Sequence, residues 1–506
     1  MSAETIVVGA GSAGAIIAAR ATERDDREVL LLEAGPDYPP GAQLPRDLVD
    51  GTRNSMSAHD WGYSYMPMPG LSRFVFPRGR VVGGSSAVNT CIALRGQPYD
   101  YDEWADRGLT EWSFEACLPA LKRLEHDLDV NNRWHGQDGP IPIRRHAPEE
   151  LVPWQAAFVE GCQTLGFPFC LDQNDPEPFG VGPQPMNKVG GERMSAARCY
   201  LTEEVRRRKN LGIRASTIVR RVLFRNRKVV GLEVETKGQV EVLPADRVIL
   251  SAGAIATPGV LIRSGIGPRE TVERLGVELV SDVPAVGARL LDHPGAAVLF
   301  MPRTWGFSKI TDPLIQTVLR YTSEGSQYPS DMQLQPASFF PWPGLPMPIV
   351  AISCCVGKPS GAGRLLFKSA DPHDKPVIDG NCLVHPEDRA RATEAMELAW
   401  RVVRSKPMRN LVYPLWPAER TLRGREAISA WIGLSCGSGY HPSGTVPMGP
   451  EGDPEAAVDG RGRVRGVSGL IIADASIMPT IPSTNTNVTA LMIGERFGEW
   501  LREGAL

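Results

Sequence analysis

The chain has 506 residues, with 55 Lys and Arg against 58 Asp and Glu, for a formal net charge of −3. Both signs are scattered, so there is no basic footprint for nucleic acid and no polybasic tract for a membrane surface, and no run approaches the ~18 apolar residues of a spanning helix. The length holds two domains' worth of core, and 42% hydrophobic residues exclude wholesale disorder.

The first predicted element is a strand at residues 5–8 (Thr-Ile-Val-Val), β-branched as a buried strand wants. No basic region precedes it and Glu4 interrupts it, so it does not read as a signal peptide. Gly9, Gly11 and Gly14 follow, with Ser12 and Ala13 between them, and then a small apolar stretch at 15–19 suited to a helix packed on a sheet. A second strand at 29–32 ends on Glu33 and Ala34. Glycines alone fit a plain turn as well as a cofactor loop. In this strand–turn–helix–strand setting they predict a dinucleotide site. Gly9 makes the tight turn, Gly11 admits a pyrophosphate to the helix N-terminus, Gly14 lets helix and sheet pack closely, and Glu33 accepts from ribose hydroxyls. NAD, NADP and FAD all remain open at this point.

Residues 77–96 pack glycines, hydroxyls and an Asn between basic residues, a loop able to wrap a phosphate or lie flat on a ring. Strand-like runs recur at 222–224, 229–234 and 248–253. The section from 298 to 431 reads as a separate sheet-plus-helix unit, with strand-like pieces at 332–337, 349–356 and 365–367 and an amphipathic helix around 390–403. Its proline-rich stretch at 339–348 predicts a stiff aromatic loop, whose Phe339, Phe340 and Trp342 line a substrate pocket or fill a core. A strand at 469–474 and a helix at 489–502 return to the pattern of the N-terminus, so the nucleotide-binding part is discontinuous. The nine cysteines are odd in number and lack zinc spacing. They read as free thiols in a reducing cytoplasm, and no metal site is expected.

Residues 77–96 resemble the first signature of the glucose-methanol-choline (GMC) flavin oxidoreductases, and residues 253–267 resemble the second. Further likenesses fall in family order at 191–198, 286–294, 440–445 and 473–482 with Asn485-Thr486-Asn487, so the resemblance runs from residue 6 to 496. Residues 95–104 add a likeness to small bacterial aromatic-alcohol and furfuryl-alcohol oxidases. Arg289 departs from the pattern where Asn is common, and Thr489 where Pro is common.

The resemblance implies an α/β fold (α+β overall), with a Rossmann-like FAD-binding domain at 1–150, 190–297 and 432–506. A substrate-binding domain at 151–189 and 298–431 would be interleaved with it. The FAD would meet the glycine loop, Glu33 and Ala34, then Trp61, Arg80, Val82, Gly84 and Ser85. Asn89, Thr90, Cys91 and Ile92 would lie beside the flavin and Val219 near the adenine, with Ala252, Gly253, Asp474, Ala475, Asn485 and Thr486 completing the grip. Val88 stands before Asn89 where some members carry a flavin-linking histidine, so the FAD is expected to be non-covalent. The resemblance also puts His441 at the position of the catalytic base and Asn485 beside it.

A neutral imidazole suits removal of a hydroxyl proton near pH 7, and an amide suits donation to the developing alkoxide. The expected reaction is oxidation of a primary alcohol to an aldehyde, with O2 as acceptor. A quinone-type acceptor and a hydroxynitrile-lyase-like reaction are the alternatives. Tyr440 is expected to touch the substrate, whereas His293, in Asp-His-Pro, reads as a structural turn. The partners are a small alcohol and an electron acceptor, with neither nucleic acid nor membrane and no expectation for oligomeric state.

Overall fold

The apolar run Thr5–Val8 is the central strand of a five-stranded parallel sheet in the computed structural model, which describes residues 4–340, 345 and 347–506. The sheet order is Leu211–Arg214, Val29–Leu32, Thr5–Val8, Arg247–Leu250 and Leu470–Ile472. Val8 lies level with Leu32 on one side and Leu250 on the other, and Leu250 with Ile472. The carboxyl ends therefore finish along one edge. From the central strand the chain turns first to one neighbour and later to the other, and that change of direction opens a crevice beyond the strand ends.

Helix Gly14–Ala21 covers this sheet and is crossed by the last helix, Thr486–Glu503. A Cβ on Gly14 would sit 1.9 Å from the Gly9 carbonyl oxygen, so only glycine allows the helix to start so close to the strand. The last helix is also tied by the fully buried Glu495, which accepts from Arg20, Arg123 and Tyr200. Of the strand-like runs after residue 211, two lie outside the parallel sheet. Thr217–Arg225, Lys228–Thr236 and Gln239–Pro244 form an antiparallel meander. The run at 248–253 stops at Leu250, and Gly253 begins helix Gly253–Arg263.

A second, seven-stranded antiparallel sheet runs in the order Val412–Trp416, Pro294–Pro302, Ile349–Val356, Met332–Phe340, Thr317–Tyr321 and Gly180–Pro183, with Gly437–Ser438 paired to the start of Pro294–Pro302. Helices Pro153–Thr164 and Pro386–Val403 pack on one face. That face carries Val298, Phe300, Leu334 and Ile352, while small and polar residues alternate onto the other, as strand periodicity dictates. The hairpin Tyr63–Met66 and Phe74–Phe76 shares a small sheet with Arg364–Leu366 and Val377–Asp379, so segments far apart in sequence build one wall. Phe339 and Phe340 end a strand where the sequence suggested a loop, and Trp342 lies outside the described residues. Among the described residues no helix is long and apolar enough to cross a membrane.

Candidate active site

A cavity of about 1130 Å³ runs from the carboxyl ends of the parallel strands to the free face of the seven-stranded sheet. At the first end it is lined by Gly9, Gly11, Ser12, Ala13, Glu33 and Ala34. Trp61, Gly84, Ser85, Asn89, Thr90 and Ile92 follow, with Val219 on the meander side. Ala252, Gly253, Asp474, Ala475, Asn485 and Thr486 face them, and His441, Tyr440, Phe339 and Phe340 lie on the lining too.

Four expected cofactor residues are not on that lining. Gly14 acts in helix–strand packing. Arg80 lies over the Trp61 ring at 5.1 Å and supports a residue that does line the cavity. Val82 is buried with its amide on the Pro36 carbonyl. Cys91 turns into a separate apolar cluster with Leu94 and Met186, because its left-handed backbone (φ 62°) points its side chain away.

The nucleotide end is polar by construction. Glu33 accepts from the amides of Ala10 (3.0 Å) and Gly35 (2.8 Å), and burial pushes its carboxyl up to about 7. The amides of Gly11, Ser12 and Ala13 make no hydrogen bond among the described residues. A Cβ on Gly84, at φ +51°, would lie 2.6 Å from the Gly11 Cα, so the two glycine loops cross backbone to backbone. Asp474 accepts from Gly253 N (2.8 Å), Thr257 Oγ1 (2.6 Å) and Ser476 N (2.8 Å), and burial raises its carboxyl pKa. Asn487 accepts from the Ser12 hydroxyl through Oδ1, while its buried Nδ2 has no partner among the described residues.

The other end is built around two histidines. His441 follows the short strand Gly437–Ser438 through Tyr440, which holds a left-handed φ of 65°. Its strained backbone is pinned: Tyr440 N donates to Ser438 Oγ at 2.7 Å, and the Tyr440 carbonyl accepts from Arg78 Nη2 at 2.8 Å. Asp292, buried behind, accepts from the backbone amides of His293 and His441 at 2.8 Å each, and from the Ser438 hydroxyl. Burial pushes this carboxyl up to about 6.

His293 was expected to serve only a turn. Asp292 does accept from its amide as a turn would require, but the His293 ring stands on His441, with 2.9 Å between the two Nδ1 atoms. The donor pattern follows from one carbonyl. His293 Nε2 lies 2.8 Å from the Pro482 oxygen, which can only accept, so Nε2 carries the proton. Burial pushes His293 down to about 4, so the ring is neutral and its Nδ1 is bare. His441 Nδ1 must then donate. Burial, His293 and the nearby Arg78 hold His441 well below the usual histidine range, so it too is neutral and its Nε2 is bare. That atom accepts from Asn485 Nδ2 at 2.9 Å, and the buried Asn485 Oδ1 has no partner among the described residues.

Comparison with known proteins places this geometry. The GMC oxidoreductase N-terminal model matches residues 3–295 and the C-terminal model residues 359–494. The chain belongs to the GMC oxidoreductase family. The chain is 32% identical over 523 residues to a 5-(hydroxymethyl)furfural oxidase from Methylovorus sp., covering 98% of this chain and 97% of that protein. It is 32% identical over 521 residues to an oxygen-dependent choline dehydrogenase from Photobacterium profundum, covering 97% and 91%. The crystal structure of pyridoxine 4-oxidase from Mesorbium loti superposes with a TM-score of 0.90 at 28% identity, covering 98% of each chain.

GMC oxidoreductases are FAD-dependent, and the residues present fit that group. Free amides and crossed glycines suit a diphosphate, Glu33 suits ribose hydroxyls, and the unpartnered Asn485 Oδ1 and Asn487 Nδ2 suit a ring edged with donors and acceptors.

Proposed function

We propose that this GMC oxidoreductase oxidises a primary alcohol to the aldehyde, with His441 as general base and O2 as the final electron acceptor. The observation that supports it most is the bare Nε2 of His441, held 2.9 Å from the Asn485 amide in a tautomer chosen by His293 and Pro482. Bound FAD, held along the glycine loops, Glu33 and Asp474, would supply the two-electron acceptor for the carbinol carbon. The substrate hydroxyl seats between Asn485 and His441, and its proton passes to Nε2. Asn485 Nδ2–H then donates to the oxygen as negative charge grows there, and cannot compete for the proton. His441 becomes an imidazolium whose Nδ1–H stays on His293 Nδ1, so the ring does not turn as it charges. The C–O bond becomes C=O as the carbon-bound hydrogen leaves with its electron pair.

The FAD is held without a covalent bond: Val88, buried at the flavin loop, offers an aliphatic surface and no nucleophile. Acid precipitation should therefore release all the FAD into the supernatant, and colour remaining in the pellet would refute this. For the reaction itself, the purified holoenzyme is mixed anaerobically with benzyl alcohol, hydroxybenzyl alcohols, an aliphatic alcohol and choline. The flavin band should bleach with an alcohol and recover on admitting air, with hydrogen peroxide formed. Bleaching that air does not reverse, but a quinone does, would replace the oxidase with a dehydrogenase. No bleaching by any alcohol would overturn the oxidation altogether.

A further inference from the structure

The free face of the seven-stranded sheet carries two glutamines on the broad wall of the cavity. Gln333 and Gln335 lie two apart on Met332–Phe340, so both point to the same side, and both line the cavity. Across the register, Gln333 pairs with Cys355 and Cys355 with Gly295, while Gln335 pairs with Ser353 and Ser353 with Ala297. The Gln333 row ends at Gly295, two residues from His293. The Gln335 row lies two residues further out, roughly 7 Å by strand rise.

The small residues of these rows leave room for a flat molecule to lie along the face. Tyr65, Phe74, Phe339, Trp416 and Tyr440 supply apolar surface around it.

The amides are oriented in sequence. Gln333 Nε2 donates to the Ser483 carbonyl at 3.1 Å, which fixes its Oε1 as the end facing Gln335. Gln335 Nε2 donates to that oxygen at 2.8 Å. Gln335 Oε1 is left accepting no hydrogen bond among the described residues, although the residue is only 8% exposed. That oxygen opens on the cavity, an acceptor among small residues and aromatic rings, and a ligand that donates to it there gains a hydrogen bond that an apolar ligand forgoes.

Charge narrows the ligand further. Only Glu33, Asp374 and Asp474 bring carboxylates to the cavity lining, and none lies on this sheet. Glu33 and Asp474 sit at the nucleotide end, and Asp374 lies beside Lys375, whose Nζ donates to the Gly62 carbonyl. Residues 1–3, 341–344 and 346 contain no Asp or Glu. Aromatic walls alone suit a flat ring or a quaternary ammonium. A neutral acceptor set one ring's length from the base suits the ring.

We infer that Gln335, positioned by Gln333 and the Ser483 carbonyl, selects an uncharged aromatic or heteroaromatic primary alcohol that carries a second hydrogen-bond donor, such as a ring hydroxyl, across the ring from its carbinol group. This rests on His441 acting on the carbinol at the other end.

The test is the anaerobic flavin-reduction rate of the holoenzyme with 3- and 4-hydroxybenzyl alcohol, benzyl alcohol and choline. The wild type should favour a hydroxybenzyl alcohol over benzyl alcohol by roughly tenfold in kcat/KM, the scale of one net hydrogen bond, and both over choline. In Gln335→Leu the preference for the hydroxylated ring should collapse towards unity. Gln335→Glu, close in size, should raise choline turnover relative to benzyl alcohol, and it decides the matter if the leucine variant fails to hold FAD. Choline as the better wild-type substrate, or an unaltered preference in both variants, overturns the inference and leaves the alcohol-oxidising reading standing. Flavin that no alcohol reduces removes both.

Discussion

Two buried histidine clusters in this molecule stand in opposite charge states. His135 Nδ1 lies 3.1 Å from Glu125 and 3.0 Å from Asp127, and its Nε2 lies 2.9 Å from Asp172. These carboxylates push it up to about 10, a fixed cation. Arg95 and Arg145 complete the cluster, so Glu125, Asp127 and His135, although spaced like metal ligands, are already matched by cations. In the second pair His293 is as buried and His441 opens on the cavity, and their hydrogen bonds among the described residues run to each other, one carbonyl and one amide, with no carboxylate. Burial then wins, and both rings are neutral. A base must be uncharged before it can take a proton, so the role proposed for His441 depends on there being no carboxylate on these rings among the described residues.

The largest effect expected from this contrast is at His441. His441→Ala should bind FAD with a normal absorption spectrum yet reduce it at least ~100-fold more slowly with the best alcohol. Stopped-flow reduction within a few-fold of wild type would remove His441 from the base role. His293 acts through His441, as a positioning residue, and its loss should cost less, roughly tenfold or more. In His293→Leu nothing holds the proton on His441 Nδ1, so the ring can move it to Nε2 and present a donor to the substrate. His293→Asn, which keeps an acceptor, should recover part of the rate, whereas a purely structural role would not distinguish Leu from Asn at equal FAD content. Equal rates in the two variants would refute the tautomer argument.

These two residues also mark how far the sequence could be read. The parallel sheet was legible because each piece is local: β-branched strands, a glycine turn, an acid at the strand end. His441, Asn485 and Asp474 were reached through their resemblance to family segments, and they do meet the same cavity as the glycine loop. His293 was read only as part of a turn because its own neighbours, Asp292 and Pro294, satisfy one, while its ring contact with His441 spans 148 residues. Gln333 and Gln335 carried no motif; their meaning comes from strand pairing that aligns them with Gly295 and Ala297. Cys91 shows the reverse case. It belongs to the loop signature, but one left-handed residue turns its side chain off the cavity. Local chemistry was readable, and orientation across distant segments was not.

The smallest kinetic effect, and the sharpest test of the contrast, belongs to His135. His135→Leu leaves Glu125, Asp127 and Asp172 facing two arginines, so the fold should lose ~3 kcal/mol at neutral pH, the scale of a broken buried ion cluster, with flavin reduction unaltered. Its pH dependence has a definite sign. The folded value near 10 is raised above the unfolded value of about 6.5, so the stability from protonated His135 is fully present below pH ~6.5 and is lost as pH rises through about 10. His293 runs the other way. Its folded value near 4 is depressed, so from pH ~6.5 down to about 4 the unfolded chain binds a proton that the native ring refuses, and stability falls on acidification. Urea midpoints at pH 5, 7 and 9.5 separate the two: His135→Leu should flatten the alkaline decline, and His293→Leu the acid one. An alkaline slope that survives His135→Leu would mean that the carboxylates around it do not hold its charge, and the contrast between the clusters would fail at its cationic end.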